Sequence, residues 1–118
     1  MNQRNKRNAE HFGVENQMIV LCEELAELTQ AAGKWLRYHR KDPTLRKNEG
    51  EVMESLIEEL ADVSIMTDQI KHLLGIPEEA INEKRREKIQ KVAEKIDKEN
   101  RERAEHFWLY KNNEGANT

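Results

Sequence analysis

Apolar residues recur at three- and four-residue steps through most of the chain, the period of an α-helix with one side turned inward. Met18, Leu21, Leu25, Leu28, Ala32 and Trp35 form one such stripe and predict a helix over 14–38, with Gly33 a small cost inside it. Val52, Leu56, Leu60, Val63, Met66, Ile70 and Leu73 form a second over 51–74, closed by Gly75 at the place where helices favour a left-handed residue. Met53 and Met66 read as core. Pro77-Glu78-Glu79 opens a third helix, with proline at its first position and acids at the positive end of its dipole. The third stripe is long and thin: Ile81, Ile89, Val92, Ile96, Ala104 and Phe107. Residues 2–11 predict a short extra helix, and 112–118 a disordered tail.

Between the first two long helices stands Asp42-Pro43-Thr44, a turn signal that also disfavours helix for the residue before the proline. An antiparallel hairpin folded there brings together positions equidistant from residue 43. Two polar interruptions of the stripes obey that rule. Glu23-Glu24-Leu25-Ala26-Glu27-Leu28 returns 35 residues later as Glu58-Glu59-Leu60-Ala61-Asp62-Val63. The pairs Glu24/Glu27 and Glu59/Asp62 centre at 25.5 and 60.5, and the midpoint of those is 43.0. Each pair projects from one face of its helix about a turn apart, and both pairs come to the same height.

Composition sharpens this picture. The chain has 118 residues, 36% charged, 36% hydrophobic and only 5% aromatic, with five Gly and two Pro. That balance predicts an all-α fold, in one domain over 1–111. One strong hairpin and one thin stripe bury little alone, so homo-oligomerisation, as a dimer or tetramer, is expected to complete a four-helix-type bundle. A net charge of −3 gives no general attraction to a nucleic acid polymer, and no apolar run is long enough to span a membrane. The basic N-terminus has no apolar stretch behind it, so no secretory signal is expected. The single cysteine, Cys22, reads as a small buried thiol in a reducing cytoplasm.

Charge patterning separates the two acidic motifs from ordinary solvated faces. Residues 8–33 hold five acids and no Lys or Arg, and residues 50–70 hold six acids and again none. Residues 83–103, by contrast, mix six acids with nine bases in the pattern of a solvated helix. Glu24 lies beside the Leu21/Leu25/Leu28 stripe and Glu59 beside Leu56/Leu60/Val63, so these acids border the core. Four carboxylates packed there repel one another and lose water unless a cation compensates. All-oxygen ligands select a hard dication, which makes Glu24, Glu27, Glu59 and Asp62 candidate ligands for Mg²⁺, with Mn²⁺ able to replace it. A di-iron carboxylate bundle would need Glu-x-x-His, and none of His11, His39, His72 or His106 has Glu three residues before it. The histidines read as surface or interface residues.

At these residues the chain resembles the MazG-like, all-α NTP pyrophosphohydrolase superfamily, related to the dimeric dUTPases, whose signature is ExxE on one helix and ExxD on the next. Glu24-Leu25-Ala26-Glu27 and Glu59-Leu60-Ala61-Asp62 match it, each preceded by an extra acid, and the likeness covers about residues 14–92. Asn82-Glu83-Lys84 falls where the family tends to place Asn-x-Lys. Arg85 stands where an aromatic residue is common, and the 31 residues between Glu27 and Glu59 exceed the usual gap.

The resemblance implies a cytoplasmic enzyme that uses Mg²⁺ to cleave a nucleoside triphosphate into the monophosphate and pyrophosphate. Glu24, Glu27, Glu59 and Asp62 would then hold the metal, and Glu23 or Glu58 would accept a proton from the attacking water. Asn82, Lys84 and Lys88 would contact the substrate from the third helix. Gln17 and Trp35 share the Glu24 face and are candidates for the base or sugar; packing is the competing role for Trp35. Six bases against one acid over 34–47 either gather the nucleotide or form a solvated loop. The competing function is a non-catalytic helical adaptor that pairs through its acidic hairpin.

Overall fold

The computed structural model describes residues 1–116 and contains four helices: α1 (Gln3–Phe12), α2 (Val14–His39), α3 (Glu49–Leu74) and α4 (Glu78–Ala116). No strand occurs among the described residues, so the fold is all-α. Two compact units divide the chain, Met1–Ile76 and the remainder from Pro77.

Each boundary in the first unit has a local cause. Asn2 caps α1, its Oδ1 accepting from the Arg4 and Asn5 backbone N–H groups at 2.7 and 3.2 Å. Gly13, at φ 83°, makes the corner between α1 and α2, a conformation that side-chain-bearing residues rarely adopt. Asn48 and Glu51 close a capping box at the start of α3. Gly75 ends α3 in the left-handed region at φ 63°, where the Gly75 and Ile76 N–H groups donate back to His72 and Lys71. The predicted helix ends at 14, 38 and 74 lie within one residue of the observed ones.

α2 and α3 pack as the expected antiparallel hairpin, and α1 packs on both. Residues 40–48 connect α2 and α3, with turns at 40–41 and 43–44. The hydrogen bond between Gln17 and Gln69 joins two positions that centre on residue 43, so the proline does mark the register.

On α3 the expected stripe is largely the packed side, with Val52, Met66 and Ile70 buried, whereas on α2 the packed side is rotated from the stripe by about one residue. The buried members are Ala9 on α1, Gln17 and Ala31 on α2, and Val52, Met66, Gln69 and Ile70 on α3. On α2 the line 17, 24 and 31 faces α3, which places Glu24 within the helix contact instead of at its border. Leu25, Leu60 and Met53, expected in the core, are exposed, Leu60 by 52%. Cys22, expected to be buried, is exposed as well. Helical spacing gathers Met18, Cys22 and Leu25 with Met53, Ile57 and Leu60 on one side of the hairpin.

α4 continues through 112–116, where a disordered tail was expected. The Tyr110 hydroxyl donates to Glu114 Oε1 at 2.8 Å, a link of one helical turn across Asn112 and Asn113. Residues 117 and 118 of that expected tail lie outside the described residues.

Candidate metal centre

Two turns along the hairpin from the Gln17–Gln69 bond, the chain brings Glu24, Glu27, Glu59 and Asp62 together. One carboxylate oxygen from each lies within 4.8 Å of the others. The helix period explains the convergence: Glu24 and Glu27 are one turn apart on α2, Glu59 and Asp62 one turn apart on α3, and the register centred on 43 sets them level.

Electrostatics at the cluster are unfavourable for four bare charges. Burial raises the Glu24 carboxyl to about 7, helped by the nearby charges of Glu27, Asp62 and Glu59 and a hydrogen bond with Glu27. Glu59 is also raised, first by loss of water and then by Glu27, partly offset by a hydrogen bond from Glu24. In each of these two residues Oε2 is buried and has no hydrogen-bond donor. A buried carboxylate oxygen without a donor is costly. Two orphaned oxygens on members of one acidic cluster call for shared protons or a cation. Carboxylate oxygens are hard donors, so the arrangement fits Mg²⁺ or Mn²⁺ and not a soft metal.

Glu23 and Glu58 are exposed and stand outside the four-carboxylate cluster. Trp35 stacks on His39, ring centroids 5.0 Å apart and planes 8° from parallel. Gln17 is only 5% exposed, and its amide is engaged on both sides: Nε2 donates to Gln69 Oε1 at 2.6 Å and Oε1 accepts from Asn16 at 2.8 Å. It is a helix-packing residue. Asn82, Lys84 and Lys88 belong to the second unit, on α4, where Lys84 pairs with Glu87 at 3.3 Å.

Two residues that tie the hairpin to α1 were not singled out for that role from sequence. Gln69 completes a buried amide chain, donating from Nε2 to Asn5 Oδ1 at 2.8 Å and so tying α1 to the hairpin. Its signal was present, because 17 and 69 are equidistant from residue 43. His72 adds a second tie to α1 through Glu10 at 2.8 Å. No family model, curated protein or solved structure matches the chain.

Proposed function

We propose that the protein is a Mg²⁺-dependent nucleoside triphosphate pyrophosphohydrolase that releases the nucleoside monophosphate and pyrophosphate. The observation that carries this reading is the pair of donorless, buried Oε2 atoms of Glu24 and Glu59 inside a level four-carboxylate cluster. A helical adaptor has no need of that arrangement. The ExxE/ExxD resemblance supplies the reaction class.

Glu24, Glu27, Glu59 and Asp62 hold the cation, which when bound neutralises phosphate charge and acidifies a water molecule. Two helices fixed by a buried amide layer hold the carboxylates in place before substrate arrives, which limits the reorganisation needed at the reacting phosphorus. Glu23 and Glu58, exposed beside the cluster, are the available proton acceptors. The apolar side formed by Leu25, Ile57, Leu60 and their neighbours is covered by a second copy, which completes the bundle.

The test is incubation with mixed NTPs and Mg²⁺, with pyrophosphate and orthophosphate measured separately. Pyrophosphate release is expected, abolished by EDTA and lowered at least a thousandfold by Glu59→Gln with helix content intact. Activity that survives either treatment, or release of orthophosphate alone, contradicts the proposal.

A further inference from the structure

A second site with chemistry of its own lies at the opposite feature of the hairpin, its turn. Tyr38, His39, Lys41, Asp42, Leu45 and Lys47 line an open pocket of about 380 Å³ there, within the size range of small-molecule sites. It is eleven residues beyond Glu27 on α2, roughly 16 Å of helix rise, so it is distinct from the carboxylate cluster.

The turn is built to leave positive charge uncompensated. Its one acid, Asp42, has both oxygens spent. Oδ2 accepts from Arg37 Nε at 2.8 Å, and Oδ1 accepts from the Thr44 N–H at 2.9 Å and the Thr44 hydroxyl at 2.7 Å. Arg37 also reaches Thr44 Oγ1 at 3.1 Å, which locks the loop. Those bonds hold the Asp42 carboxyl down at about 2. Among the described residues no acid pairs with Lys41 or Lys47, in a segment with six bases and one acid over 34–47.

Lys41 adds an independent observation. It sits at φ 57°, the left-handed residue of the motif that ends α2, with its own N–H donating to Tyr38 O and the Asp42 N–H donating to Arg37 O. Glycine ends α3 in the equivalent position, and glycine is the residue that takes this conformation without steric penalty. Placing a lysine there trades backbone ease for an ammonium group at the pocket wall. Strained non-glycine residues of this kind concentrate at ligand sites.

We propose that the pocket at the hairpin turn binds a small phosphorylated ligand by its phosphate, with Lys41 and Lys47 as cationic contacts and Tyr38 and His39 as hydrogen-bonding neighbours. Paired lysines beside hydrogen-bonding side chains suit a multiply charged oxyanion. Tyr38 and Leu45 provide apolar wall for the remainder of the ligand. Binding here needs no divalent cation, so it stands or falls separately from the proposed hydrolase activity.

The experiment is calorimetric titration of the full chain with inorganic pyrophosphate at low salt in EDTA. Saturable uptake is expected, weakened at least fivefold by Lys41→Gly and by Lys47→Gln. Lys41→Gly is expected to melt at the same temperature or higher, because it relieves the backbone, so its loss of binding cannot come from unfolding. Arg46→Gln, just outside the lining, is expected to bind within twofold of wild type. AMP binding tighter than orthophosphate would identify a nucleotide ligand; equal binding would identify phosphate alone, and both support the site. No saturable uptake, unchanged binding by Lys41→Gly, or an equal loss in Arg46→Gln overturns it.

Discussion

Glu24 carries a proton near neutrality that an unfolded glutamate would have released. Its carboxyl rises from 4.5 to about 7, and burial is the largest cause. Between those values the folded chain binds more protons than the unfolded one, so this group favours folding fully below about 4.5 and loses that contribution as pH climbs through about 7. Without divalent metal, the melting temperature is therefore expected to decline across this window, and Glu24→Gln, which mimics the protonated form, to flatten the decline. Identical slopes for the two proteins would contradict the assignment. Bound metal requires the ionised form, so Mg²⁺ affinity is expected to increase with pH over the same window, as calorimetry at several pH values would reveal. Asp42 acts in the opposite sense: held at about 2, its contribution is present above 3.8 and fades only in strong acid. Lys41→Gly is expected to stabilise the chain by about 1 kcal/mol in chemical denaturation, from relief of the left-handed lysine.

At the scale of elements, register and rotation came from different signals. Register was legible in the sequence: Pro43 marked the turn, and the repeated acidic motif and the Gln17–Gln69 pair both centre on it. Rotation was legible on α3, where Val52, Met66 and Ile70 of the stripe are buried, and not on α2, because hydrophobicity marks the face that must leave water without saying which neighbour covers it. Leu25 and Leu60 point away from the facing helix, while Gln17, Glu24 and Gln69 take the contact. Helix ends were readable where a cap names them, as Gly75 does, and missed past Asn112, where α4 runs on through residues of poor helix propensity. The amide layer yields its own test. Gln17→Leu or Gln69→Leu alone strands a buried amide and is expected to cost about 1–3 kcal/mol, whereas the double replacement is expected to cost less than the sum of the two. Additive losses in urea unfolding would mean that the amides are not coupled.

As a whole molecule, the chain presents an acidic cluster inside one hairpin and an apolar side on the same hairpin, with Ile57 56% and Leu60 52% exposed. Burying such a side contributes roughly 25 cal/mol per Å² of apolar surface, which makes self-association the expected state. Sedimentation should give a dimer or larger, and Ile57→Glu should shift it toward the monomer; a wild-type monomer at every concentration would contradict that expectation. The proposed function depends on a different property, the capacity of four carboxylates to hold a dication. The most direct measurement is calorimetric titration of the wild-type protein with Mg²⁺ and with Mn²⁺ at about pH 8, in parallel with Glu59→Gln. Saturable uptake by the wild type, lost in the variant while its helical signal is unchanged, is the expected result. Absence of uptake by the wild type, or equal uptake by Glu59→Gln, would contradict the metal centre and the hydrolase proposed from it.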